Sequence, residues 1–209
     1  MTMVNCDIGL SLDGFVAGPH QSLEHPMGEG ADTILHTWMF DQPDANAPEM
    51  AAITDAGAFI MGRNMFGPVR GPWETWDVEG KGPWRGWWGG NPPYHAPVIV
   101  LSHHARDPLV MEGGTTFSFV TDGIEAALEQ ARTAAGGLDV AVAGGAATVN
   151  QFLAAGLIDE LRLHLAPVVL GSGERLFAGL PRLEFVQVGA RATELVTHLT
   201  YRRASVIGR

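Results

Sequence analysis

DVAVAGGAATVNQFL, residues 139–153, is the stretch whose reading decides the fold. Asp139 to Ala143 is a short apolar run with strand character, Gly144-Gly145 breaks it, and an apolar-periodic helix follows at once and ends at Gly156. The free N–H groups at such a helix start, helped by the helix dipole, favour a phosphate, and glycine lets the backbone approach it closely. A plain tight strand-to-helix turn also favours Gly-Gly, so this feature divides evenly between the two readings. Neither GxGxxG nor the Walker spacing is present, and a nucleotide held here is therefore held in another way.

Working outward, strands and helices alternate. In VNCDIGL (4–10), Val4, Cys6, Ile8 and Leu10 share one face and Asn5, Asp7 and Gly9 a wetter one. Residues 31–41 place Ile34, Leu35, Trp38 and Met39 on one helical face, and Asn46 with Glu49 has capping-box spacing for a second helix. AFIMG (58–62), PVIVLS (97–102) and TTFSFV (115–120) read as strands, and Asp122 with Glu125 as a capping box before IEAALEQARTAA. ELRLHLAPVVLG (160–171) alternates Leu161, Leu163 and Leu165 against Arg162 and His164, and LEFVQVGA and ELVTHLTYRR make a closing antiparallel hairpin. The pattern predicts an α/β fold in one domain over 1–209, with a mostly parallel sheet and an antiparallel edge.

Composition narrows the function. The 209 residues carry a formal charge of −10, which argues against a nucleic-acid partner. One cysteine, Cys6, excludes an intrachain disulfide, and eight histidines without Cys or HExxH spacing suggest no metal site. No apolar run reaches membrane-spanning length and the N-terminus lacks signal-peptide layout, so a cytoplasmic protein with no membrane partner is expected.

In open α/β sheets ligands bind beyond the carboxyl ends of the strands. Three such ends carry Gly-Gly at 144–145, Arg63 after AFIMG, and Ser102, His103, His104 and Arg106 after PVIVL. Arg offers a phosphate a two-pronged donor, and Ser and His add more, which suits a phosphorylated dinucleotide. A surface salt bridge at Arg63 and a solvated strand end at His103 are the competing readings. Five of the six tryptophans, Trp73, Trp76, Trp84, Trp87 and Trp88, crowd into a Gly/Pro-rich internal loop at 67–97. Trp84, Trp87 and Trp88 are candidates to wall a substrate pocket or a subunit contact, with a satellite core beneath a long loop as the equal alternative.

Together SLDGFVAGP (11–19), IMGRNMFGP (60–68), PVIVLSHH (97–104) and AGGAATVNQFLAAGLIDELRLHLAPVVLGSGERLF (143–177) resemble the dihydrofolate reductase-like superfamily. Within it the chain is similar to the reductase domain of the bifunctional riboflavin-biosynthesis enzymes and its stand-alone relatives, without their zinc-signature deaminase domain. The resemblance implies a sheet of about eight strands flanked by helices, NADPH as cofactor, and a homodimer. It places Gly62, Arg63 and Asn64 by the cofactor phosphates, Leu101, Ser102 and His103 by the adenine ribose and its 2′-phosphate, and Gly144, Gly145, Ala146, Ala147 and Thr148 at the pyrophosphate, with a cis peptide between Gly144 and Gly145. Asp13 and Gly14 would lie in the loop beside the nicotinamide. The expected activity is hydride transfer to a C=N or C=O carbon of a small, heterocyclic substrate. Asp13 is the first candidate to orient substrate or relay a proton, against a plain Asp-Gly turn, and Asp32 the second. Alternatives are a dedicated riboflavin- or pterin-pathway reductase, and a non-catalytic nucleotide-binding protein that keeps the fold.

Overall fold

The computed structural model of the chain describes residues 2–67, 71–73 and 83–204. The elements run β1 (Val4–Leu10), β2 (Phe15–Ala17), α1 (Thr37–Asp41), α2 (Ala47–Thr54), β3 (Ala58–Gly62), α3 (Arg63–Phe66), β4 (Pro97–Leu101), β5 (Leu109–Val110), β6 (Thr116–Val120), α4 (Gly123–Ala135), β7 (Val140–Gly144), α5 (Ala146–Ala154), β8 (Glu160–Leu165), β9 (Glu174–Arg175), β10 (Phe185–Ala192) and β11 (Thr197–Arg203). Nine strands form one sheet in the order β10-β11-β8-β1-β7-β3-β4-β6-β5, and β2 pairs with β9 in a separate ribbon. The six strands from β8 to β6 are parallel, and β11, β10 and β5 supply the antiparallel pairings. The architecture is the α/β, dihydrofolate reductase-like one, with one strand more than about eight because the short β5 caps an edge.

Period-two alternation sends each strand's residues to two different environments. On one face Cys6, Ile8, Ile60, Val142 and Leu161 pack with Leu128 of α4 and Val149 and Phe152 of α5. Each large apolar side chain buried this way contributes about 1.5–3 kcal/mol. The opposite face is divided. Over β3, β4 and β6 lies an aromatic core that includes Phe59, Phe66, Trp73 and Phe117. Over β1, β8 and β11, cross-strand register lines up Asn5 with Glu160 and Arg202, Asp7 with Arg162 and Thr200, and Gly9 with His164 and His198. Between the two halves, β7 presents only Ala141 and Ala143 to that face.

Several local expectations are revised. The wetter face of β1 is covered: Asn5 is 3% exposed. Neither capping box forms, since the N-caps Asn46 and Asp122 make no side-chain cap bond. Asn46 instead sends its amide to the Trp38 and Gln42 carbonyls. The helix expected over 31–41 is confined to Thr37–Asp41, with Leu35 and Trp38 buried but Ile34 41% exposed. The strand expected over 160–171 stops at Leu165, where Pro167 has no N–H to continue the ladder. Trp76 lies outside the described residues. No helix among the described residues is long and apolar enough to cross a membrane, and no cluster of metal-ligating side chains occurs among them.

Candidate functional site

The carboxyl ends of β3, β4 and β7 converge. The Gly144-Gly145 peptide is cis, Gly145 is the N-cap of α5, and Gly144 has φ 134°, a conformation open to glycine. Gly62, the last residue of β3, packs so tightly on the first turn of α5 that a Cβ there would collide with the Thr148 hydroxyl. A Cβ on Gly144 would lie 3.2 Å from Met65 Sδ of α3. Gly62, Gly144, Gly145, Ala146, Ala147 and Thr148 thus form one cradle, close-packed at Gly62 and Thr148 and open at Gly145 and Ala147, whose N–H groups at the start of α5 are the donors an anion would meet. Thr148 is 6% exposed, so its side chain helps shape the cradle from below.

Beside the cradle sits a positive corner. The Arg63 guanidinium carbon lies 3.7 Å from the centre of a Trp73 ring, and that of Arg106 lies 5.0 Å from the same residue. Trp73 is itself held by a 2.8 Å bond from its indole N–H to the His104 carbonyl and by edge contacts with Phe66 and Phe119. Arg106 Nη2 donates to the Trp84 carbonyl at 2.5 Å. Burial lowers the pKa of both arginines, and Arg106 is lowered further by Arg85 and Arg63. Cations that repel one another on an aromatic floor are stabilised by an anion between them. Asn64 is half-buried on α3 beside Arg63.

At the end of β4, Ser102 is buried, its N–H bonds the Val120 carbonyl, and its hydroxyl donates to the His104 carbonyl while accepting the His104 N–H. That hydroxyl orders the loop carrying Arg106. Leu101 is half-buried and His103 exposed.

Asp13 lies at the β1–β2 turn. Its carboxylate accepts the Ser11 hydroxyl at 2.6 Å and the N–H groups of Leu170 and Gly171 at 3.1 and 2.7 Å. The Ser11 bond, with the two backbone donors, lowers its pKa to about 2 against a smaller opposing effect of burial. This geometry ties two loops together and keeps the group ionised. Gly14 follows with φ 85°, and its carbonyl accepts the Leu176 N–H. Asp32 is 52% exposed and faces His25 at 3.4 Å. From the same segment it is His36 that approaches the sheet, since a Cβ on Gly9 would lie 3.1 Å from its Nε2. Burial, with nearby His164, lowers the His36 pKa to about 4. No spacing in the sequence singles His36 out.

The tryptophans separate. Trp84 donates its indole N–H to the Phe66 carbonyl at 2.9 Å, beside the positive corner, and Trp87 meets it edge-on at 4.7 Å. Trp88 stacks on Phe117 at 5.9 Å and meets Tyr94 at 5.2 Å, well below the strand ends, because Phe117 pairs with Val98 near the start of β4. Trp73, Trp84 and Trp88 all pack with the aromatic core.

Comparison with known proteins agrees with this architecture. The family described as the RibD C-terminal domain matches residues 2–201. A protein from Shewanella sp. PV-4 that carries a provisional riboflavin-biosynthesis name has a similar structure, with a TM-score of 0.64 and 24% identity over 97% of this chain and 99% of that one. Dihydrofolate reductase from Enterococcus faecalis, solved with NADP(H), gives a TM-score of 0.54 and 16% identity over 97% and 96% of the two chains. The uncharacterised Bacillus subtilis protein YyaP is 49% identical over 41 residues, a segment spanning 20% of this chain and only 22% of that protein.

Proposed function

The chain belongs to the RibD C-terminal domain family, and on that premise we propose that it is an NADPH-dependent reductase acting on a C=N or C=O carbon of a small heterocyclic substrate. The observation that carries the reading is the cradle of Gly62, Gly144, Gly145 and Thr148 next to the Arg63–Trp73–Arg106 corner. The cradle's N–H donors suit a pyrophosphate and the corner suits a further phosphate, so the residues present fit a phosphorylated dinucleotide. When bound, NADPH would supply the hydride.

The chain's own part is binding and alignment. Arg63 and Arg106 take the 2′-phosphate. The start of α5, from Gly145 to Thr148, takes the pyrophosphate. Ser102 holds the loop that presents Arg106, with Leu101, His103, Asn64 and Gly14 at the edges of the cofactor groove. Asp13 acts as a positioning residue, because a carboxylate held ionised by three donors keeps its loop in place and delivers no proton near neutrality. Neutral His36, over Gly9 at the end of β1, can donate one N–H to the substrate and leaves the proton to come from water. Trp84 is the tryptophan best placed to border the groove.

Titration of the protein with NADPH and NADH tests the reading. NADPH should bind more tightly, and Arg63→Ala and Arg106→Ala should each weaken NADPH about tenfold or more while leaving NADH nearly unchanged. Equal weakening of both would remove the 2′-phosphate assignment, and no NADPH binding would remove the reading. NADPH binding without oxidation across a broad carbonyl and imine panel would favour the non-catalytic alternative. Complementation of a strain lacking the riboflavin-pathway reductase separates a dedicated pathway step from other reductions.

A further inference from the structure

The corner and the cradle leave one side of a dinucleotide without a cation. The corner stands at the ends of β3 and β4, and the cradle at the end of β7. With the strands in the order β1-β7-β3-β4, a ligand running from the corner through the cradle continues over the end of β1. A pyrophosphate is anionic at both phosphates, whereas the start of α5 offers it N–H dipoles and no charged side chain.

Arg175 of β9 stands on that side. In the β2–β9 ribbon it lies opposite Phe15, and its backbone is held from two directions. Asn150 of α5, one turn on from Ala146, donates its amide to the Arg175 carbonyl at 3.2 Å and accepts the Phe177 N–H at 2.9 Å. The Leu176 N–H bonds the Gly14 carbonyl at 2.9 Å, in the turn that follows β1. Parallel pairing of Val4 with Val140 and Asn5 with Ala141 brings the last residues of β1 level with Gly144 and beyond it, so this turn stands beside the cradle.

The side chain is placed and its donors are free. The Arg175 guanidinium carbon lies 4.4 Å from the centre of the Phe15 ring, and Nη1 lies 3.9 Å from the position of a Cβ on Gly14. Phe15 is 6% exposed, so the guanidinium rests on a fixed floor while Arg175 itself is open to solvent. Contact with a ring face uses no N–H. Among the described residues no carboxylate pairs with Arg175, and its guanidinium donates no hydrogen bond. Asp13, next to Gly14, is taken by the Ser11 hydroxyl and the Leu170 and Gly171 N–H groups. We propose that Arg175 is a cofactor-binding residue that grips the pyrophosphate from the β1 side of α5, across the cradle from Arg63 and Arg106. This inference rests on the reductase reading. The guanidinium gives one phosphate a two-pronged donor, and the N–H groups at the start of α5 hold the other.

The test titrates the whole protein with NADPH, NADH and adenosine 2′-monophosphate, which carries the corner's phosphate but no pyrophosphate. Arg175→Met keeps an unbranched stem over Phe15 and removes the charge. It should weaken NADPH and NADH alike, about tenfold, and leave adenosine 2′-monophosphate unchanged. Arg175→Glu, which adds repulsion, should weaken both dinucleotides further, and Arg175→Lys should restore part of the affinity. Arg63→Ala should give the opposite pattern, with NADPH and adenosine 2′-monophosphate weakened and NADH spared. Unchanged NADPH affinity in Arg175→Met beside a loss in Arg63→Ala would overturn this inference and leave the reductase reading standing. Absence of NADPH binding to the unaltered protein would remove both. Equal losses in Arg175→Met and Arg175→Glu, or weaker adenosine 2′-monophosphate binding in Arg175→Met, would reduce Arg175 to a packing role and overturn the inference as well.

Discussion

Gly62 ends β3 directly against Thr148 in the first turn of α5, with no room for a Cβ between them. This one contact joins a strand end to the helix whose N-terminus forms the cradle. Gly62 has φ −77°, which alanine tolerates, so the constraint is the neighbour and not the backbone. Gly62→Ala should destabilise the protein by about 1–3 kcal/mol and weaken NADPH binding. Thr148→Ala alone should be milder, and the double variant should recover most of the loss, because the remaining Cβ–Cβ approach is ordinary contact. Thermal denaturation and NADPH titration of the three variants check this. An additive double variant would show that the contact does not shape the cradle.

Asp13 connects the turn after β1 to the backbone at 170–171. Its folded pKa of about 2 lies below the ordinary aspartate value of 3.8, chiefly through the Ser11 hydroxyl. A depressed carboxylate pKa stabilises the fold above the unfolded value, and that contribution disappears as pH falls through about 4 to 2. Asp13→Asn should flatten the melting-temperature profile in that window and raise hydrogen exchange at Leu170 and Gly171. Loss of turnover with unchanged exchange would instead make Asp13 a catalytic group.

His36 and His198 both have pKa values lowered to about 4 from 6.5, in each case first by burial and then by His164. His198 also faces Glu49, which raises its pKa, and Arg191, which lowers it. The unfolded chain takes up these protons below 6.5 while the native state resists until about 4. Stability therefore rises with pH across that window and is complete above it, by about 1.4 kcal/mol per pH unit for one histidine at the steepest. Denaturant titrations between pH 4 and 7 should show that slope, and His198→Gln should reduce it. An unchanged slope in the variant would place the proton uptake elsewhere.

Trp88 stacks on Phe117 and meets Tyr94 edge-on in the aromatic core. Trp88→Ala should cost about 3 kcal/mol and leave NADPH affinity unaltered. Trp84→Ala should change both, because the Trp84 indole N–H holds the Phe66 carbonyl at the end of α3, beside Arg63. Tryptophan fluorescence during titration of the two variants separates the roles, and an affinity loss at Trp88 would reassign it to the ligand groove.

The local pattern of residues determined most of the elements. The strand–Gly-Gly–helix unit, the apolar runs at 58–62 and 97–101 and the closing hairpin all arise from side-chain period and glycine placement, which act over a few residues. The cradle was legible for the same reason, since its glycines mark the ends of those runs. What depends on contacts between distant residues was decided by tertiary packing. Arg63 and Arg106 meet over Trp73 only because β3 and β4 are neighbours. Asn46, with helix-cap spacing, gives its amide to two carbonyls because the α1–α2 turn is pressed onto the sheet. Asp7 and His164 read as ordinary outward residues of two alternating strands, 157 positions apart, and become a buried pair because parallel register brings β1 and β8 together under that same cover. Periodicity shows which face a residue takes, whereas burial, pairing and protonation depend on what the fold lays over that face.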